Sequence, residues 1–199
     1  MTALSALTLT GCSGSEDADP VFPTAAADLP DATALSDAGS TIPHGEWGVL
    51  QDYDSIAEPT VSTLAVKTGA VRRGGTSDFD DVMIPGGLPE DSVAYYANIV
   101  YSALEGSHSI SPMHELVAVD TTTGEYATML SVPSSLENCP IPATEGATDL
   151  RQATVGCLVF VMPKGSTPDA VVFTASHADE LDTDVSPLTF ALPTAEKAS

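Results

Sequence analysis

From Pro59 onward the chain alternates short runs of Val, Ile, Leu, Tyr and Phe with clusters of Gly, Pro, Asp and Ser, the pattern of short β-strands joined by tight turns. Seven runs have strand length and composition: residues 61–71, 93–104, 115–120, 126–132, 154–162, 170–174 and 188–192. The turns between them are marked by Arg73-Gly74-Gly75, Pro85-Gly86-Gly87, Thr123-Gly124-Glu125 and Lys164-Gly165-Ser166. Seven short strands predict an all-β fold, an immunoglobulin-like antiparallel β-sandwich. The run Leu158-Val159-Phe160-Val161-Met162 has no polar alternation, so it is expected to be a central strand with both faces covered.

Before Pro59 the pattern changes twice. Residues 13–45 are Ala, Asp, Ser, Thr and Pro with isolated hydrophobes and no helical or strand period, so a disordered linker is expected there. Such a segment would have an r.m.s. span of roughly 35 Å. Residues 42–53 are more apolar and contain Trp47, the one tryptophan of the chain, for which packing in the core or at a sheet edge is the expected use. The folded domain is placed at 46–192, with 193–199 as a C-terminal tail.

The first eleven residues, MTALSALTLTG, are uncharged and apolar, and far shorter than the stretch of about 20 residues that spans a bilayer. Leu9-Thr10-Gly11-Cys12 followed by Ser13-Gly14-Ser15-Glu16-Asp17 resembles the lipobox of bacterial lipoproteins, with a small, polar, acidic continuation. Residues 1–12 then form a lipoprotein signal peptide ending in Cys12, whose thiol would carry the lipid. No Lys or Arg precedes Cys12, which departs from the usual charged start of a secretory leader.

Three cysteines leave one unmatched in an exported protein. With Cys12 acylated, Cys139 and Cys157 are left to pair with each other, the alternative being two separate thiols. The expected location is the cell membrane, lipid-anchored on its extracytoplasmic face.

The chain has 28 acidic and 6 basic residues, a formal charge of −22, which argues against nucleic acid as a partner. A solvated acidic surface also needs no ligand to explain it. Val71-Arg72-Arg73-Gly74, Tyr95-Tyr96-Ala97-Asn98-Ile99-Val100-Tyr101, and Cys139 with Cys157-Leu158-Val159-Phe160-Val161-Met162-Pro163-Lys164-Gly165 together resemble the Ig-like domain of actinobacterial lipoproteins, a group similar to the mycobacterial immunoprotective extracellular antigen family. The resemblance implies a surface or secreted module and transfers no catalytic residues or ligand.

Chemistry-bearing motifs are sparse. There is no Gly-x-Ser-x-Gly string, phosphate-binding loop, dinucleotide fingerprint or Cys-x-x-Cys pair. His108, His114, Glu115 and Asp120 could be imagined around zinc, but the second His of a helical metalloprotease motif is missing. Ser77-Asp78-Phe79-Asp80-Asp81 offers oxygens to calcium without the spacing of an EF-hand, so a solvated acidic loop is the plainer reading. Lys67, Arg72 and Arg73 gather half of the basic residues and could orient an anionic partner, with shielding by Asp78 and Asp80 as the duller explanation.

These readings converge on a monomeric, non-enzymatic, cofactor-free binding module at the cell surface, held to the membrane by its lipid and meeting an extracellular protein or wall ligand. The alternative is an envelope enzyme or enzyme accessory.

Overall fold

The computed structural model describes residues 29–54, 60–82, 84, 86–106, 112–131, 136, 139, 150–174 and 187–197. Among these described residues eleven strands arise in chain order: β1 Thr41–Ile42, β2 Gly48–Asp54, β3 Thr60–Arg73, β4 Ser92–Glu105, β5 Leu116–Asp120, β6 Glu125–Tyr126, β7 Thr128–Met129, β8 Thr154–Pro163, β9 Ala170–Phe173, β10 Leu188–Ala191 and β11 Glu196–Lys197. They form two sheets: a small one in the order β1-β10-β9-β5-β6, and a large one in the order β11-β3-β4-β8-β7 with β2 also on β3. All pairings are antiparallel except β1 with β10 and β11 with β3.

The expected all-β sandwich is therefore what the chain forms, and the seven sequence runs coincide with β3, β4, β5, β6 with β7, β8, β9 and β10. The run at 126–132 is split. β6 pairs with β5 in the small sheet, whereas β7 pairs with β8 in the large sheet, so the chain changes sheets at buried Ala127, whose N–H donates to Ala118 O at 2.9 Å.

Between the sheets lies the main core. Alternate residues of β3, β4 and β8 point inward, among them Leu64, Val66, Tyr95, Ile99, Phe160 and Met162, and meet Leu116, Ala118, Val171 and Phe190 of the small sheet. Tyr95 and Phe160 are cross-strand partners with ring centroids 5.8 Å apart, a stacked pair at the centre of this layer.

The large sheet is also apolar on its outer face. At one end Phe79, Leu136 and Cys139 cover Ala94, Tyr96, Val159 and Val161; at the other Leu29, Ala32 and Trp47 cover Val49, Ala65 and Leu104. Coverage of both faces of β8 agrees with its unbroken hydrophobic run, although the middle strand of the sheet is β4. Cys139 and Cys157 are joined by a disulfide with Cα atoms 5.8 Å apart, which fastens the Leu136–Cys139 cover to β8.

Two boundaries differ from expectation. Residues 29–45, placed in the linker by composition, belong to the folded body: Ala32 is buried, Ser36 exchanges hydrogen bonds with Val49 at 2.8 and 3.0 Å, and β1 adds to β10. The outer face of β2–β3–β4 needs a cover, and scattered hydrophobes suffice to make one. The remainder of the linker, 13–28, lies outside the described residues. Likewise the tail at 193–199 contributes β11, whose Glu196 and Lys197 pair with Arg72 and Arg73.

Two stability effects follow. Phe160→Ala, at a fully buried position, is expected to cost about 3–5 kcal/mol, read as a lower urea midpoint with an unchanged slope. Replacing both Cys139 and Cys157 by Ala opens a link spanning 18 residues and is expected to cost about 3 kcal/mol. The same loss should appear in the native protein on adding reductant.

Candidate functional site

β8 is ten residues long, but its outer neighbour β7 pairs with it only at Thr128 to Val161 and Met129 to Phe160. One more bond follows, from Leu130 N–H to Val159 O at 2.8 Å. The edges of the two sheets then stand apart, leaving a groove of about 390 Å³. One wall is Cys157, Leu158 and Val159 of β8; a second is Met129, Leu130 and Ser131; the third is Met113, His114 and Leu116.

The third wall is set by local chemistry. Pro112 fixes the backbone at the start of a 3-10 turn over Pro112–His114, closed by the Glu115 N–H donating to Pro112 O at 3.0 Å. Thr174 N–H then donates to Glu115 O at 2.9 Å and holds the turn against β9. Met113 lies over bare backbone, for a Cβ added at Gly156 would sit 2.7 Å from its sulfur and 2.9 Å from its terminal methyl. Glycine at 156 is what lets this side chain pack against β8.

The polar residues singled out from the sequence serve other ends of the molecule. Asp120, at the end of β5, is buried and accepts from the N–H groups of Thr122 at 3.0 Å, Thr123 at 3.1 Å and Thr167 at 3.0 Å. The Thr167 N–H, with those of Thr123 and Thr122, outweighs burial and holds its carboxyl below the usual carboxylate range. Asp169 accepts in turn from the N–H and hydroxyl of Thr121, so two carboxylates lace the β5–β6 turn to the chain entering β9. Asp31 is shifted in the same direction, chiefly by the Thr33 N–H and hydroxyl at 3.0 and 2.9 Å, with Arg151 adding attraction.

His114, Glu115 and Asp120 are therefore not assembled as ligands, and His108 lies outside the described residues. Among the described residues no group of three or more His, Cys, Asp or Glu could hold a metal ion. The 77–81 segment forms a 3-10 turn over Thr76–Phe79 that plugs the large sheet: Phe79 is buried against Tyr96, with centroids 6.3 Å apart, and Asp78 accepts from the Tyr96 hydroxyl at 2.7 Å. Gly74 permits this contact, since a side chain there would collide with the Asp78 carboxylate and the Tyr96 ring.

Lys67 is separated in role from Arg72 and Arg73. Its ammonium lies 4.4 Å from the centroid of the half-buried Trp47 ring, while the two arginines sit in the register that receives β11. Cys12 lies outside the described residues, as does Val132 at the end of the 126–132 run. Sequence reasoning missed Met113 and Met129 altogether. They stand 16 positions apart, Met113 in the turn before β5 and Met129 in the strand-like run 126–132, and neither position is marked by a motif.

The fold and its groove define a two-sheet β-sandwich with an open edge. No family model and no curated protein matches the chain. Among solved structures it is similar to MPT63, a secreted protein from Mycobacterium tuberculosis, at 16% sequence identity and a TM-score of 0.47, over 76% of this chain and 95% of that one.

Asp120 generates a pH signature. Its folded pKa is depressed relative to an unfolded value of about 3.9, so its contribution is present above that pH and is lost as pH falls through the folded pKa. Asp120→Asn is thus expected to be less stable than the parent at pH 7, with the gap narrowing below about pH 4. Urea midpoints of the two proteins at pH 7, 4 and 3 test this; a gap of constant size would contradict the assignment.

Proposed function

We propose that the protein is a lipid-anchored, extracytoplasmic, non-catalytic binding module, tethered through Cys12 and using the open groove of its sandwich as the binding surface. The observation that carries this reading is the bond between Cys139 and Cys157. It accounts for two of three cysteines, belongs to an oxidising compartment, and leaves Cys12 in its lipobox-like setting as the one thiol still needing a role. Two or more acyl chains, at about 0.8 kcal/mol per buried methylene, would hold the domain stably on a membrane, where a single chain would not.

The character of the groove favours binding over catalysis. An active site is expected to gather several polar side chains around one point, whereas these walls are mainly Leu, Met and Val, with His114 and Ser131 as the polar exceptions. The formal charge of −22 disfavours nucleic acid and anionic lipid headgroups as ligands. An extracellular protein, wall polymer or cation remains compatible with that field. Fold alone assigns no activity, so the enzyme alternative rests on no feature of the site.

Metabolic labelling of the native host with a palmitate analogue tests the anchor. Label is expected on the parent protein and absent from Cys12→Ser, which should also move from the membrane fraction to the soluble one. Native protein whose mass shows an intact Met1 and an unmodified residue 12 would overturn the reading.

A further inference from the structure

The outer edge of β8 is only partly used by the fold. Leu130 N–H donates to Val159 O, and Val161 stands opposite Thr128, so Val159 and Val161 turn their backbone groups away from β4 and toward β7. Backbone direction repeats every second residue, which aims the N–H and C=O of Cys157 and Val155 out of the same edge. Among the described residues no strand lies beside these two. Their side chains are half-buried, whereas Val159 and Val161, next to β7, are buried. The small sheet is open on the same side. Ala118 O accepts from Ala127 N–H, and Leu116, two residues earlier, points its backbone the same way with no described strand beside it. The groove of about 390 Å³ runs between these two unfinished edges.

We propose that the β8 edge takes up an extended segment of a partner protein as an added strand, a segment that alternates apolar and basic residues. Such a strand continues the line that β7 leaves and supplies partners for the backbone groups of Cys157 and Val155. Between Thr154 and Leu158 there is room for about five residues. Alternate side chains of the added strand point either into the mouth between the sheets, where Met113, Leu116 and Leu158 make the groove apolar, or outward. The inward set is therefore apolar. The outward set meets the field of a chain with a formal charge of −22, which selects Lys and Arg. The same charge disfavours a second copy of this chain as the occupant, because it would bring an equal negative charge to the contact. A sugar polymer finds no aromatic ring on the groove walls to stack against.

The inference deepens the binding-module reading and rests on it in treating the groove as the binding surface. The probe is the synthetic peptide acetyl-Lys-Val-Lys-Val-Lys-Val-Lys-amide, titrated into purified full-length Cys12→Ser protein and followed by fluorescence anisotropy and by amide hydrogen exchange in NMR spectra. Saturable binding that weakens as salt rises is expected. The amides of Val155 and Cys157, fast to exchange in the free protein, should become slow, while those of Gly156 and Leu158, which face β4, stay as they were. Two further peptides of the same charge are N-methylated on alternate residues, one on its valines and the other on its lysines. The one that loses the donors facing β8 is expected to bind about tenfold or more weakly, and the other about as well as the parent peptide. Edge amides already slow before peptide is added would show the edge to be filled by the chain itself or by a second copy, and would overturn the proposal. Absence of binding, or affinity that survives both patterns of methylation and so reflects charge alone, overturns it too. Protection confined to the groove walls at Met113 and Ser131 would keep the groove as the binding surface but rule out strand addition. The anchor is read separately from acyl labelling at Cys12, so either result can fail without the other.

Discussion

The large sheet is apolar on both faces, and most of the chain is arranged to satisfy that condition. Phe160 and Met162 of β8 face the small sheet while Val159 and Val161 face the other way, so one strand places two hydrophobic surfaces that must both be kept from water. The small sheet satisfies the first. Satisfying the second takes the 3-10 turn with Phe79, the Leu136–Cys139 segment fastened by the disulfide, and the stretch from Leu29 to Trp47. Loops and N-terminal residues that would be peripheral on a one-sided sheet become part of the folded body.

Edges are handled with the same economy. A sandwich leaves four, and an unpaired edge invites association with other chains. Here β1 and β11, each two residues long, dock in parallel on β10 and β3, while β6 and β7 cap β5 and β8. Of these caps β7 pairs with only two residues of the ten-residue strand it guards, and the groove lies where it ends. The polar links sit at the turns: Asp120 and Asp169 tie one pole together and Asp78 ties the plug to Tyr96. Part of the acidity therefore does structural duty inside the fold, where a charge count alone would spread it evenly over the surface.

How far these features were legible depends on whether the signal was local. Strand identity was, because runs such as Ser92–Glu105 and Thr154–Pro163 are long, β-rich and bounded by glycine turns. The double coverage of β8 could likewise be read from five consecutive apolar residues. What failed to register were contacts made by backbone or by isolated side chains. β11 has a polar sequence and joins β3 by strand pairing, and Leu29 and Ala32 carry no period. The groove was opaque for a related reason, since one of its walls is formed where the chain crosses between sheets at Ala127, a crossing with neither glycine nor proline to announce it.

The two parallel pairings carry a consequence for the order in which the molecule can assemble. Thr41 needs Thr189 as its neighbour and Arg72 needs Glu196, so strands near the beginning wait for partners close to the end. A chain emerging from a ribosome or threading through a translocation pore cannot close this structure until residues 188–197 are free. Such long loops to be closed place folding in the slow, millisecond-to-second range of β-sandwiches. Maturation is accordingly a late, whole-molecule event, and a nascent chain stays pliable for as long as its passage lasts.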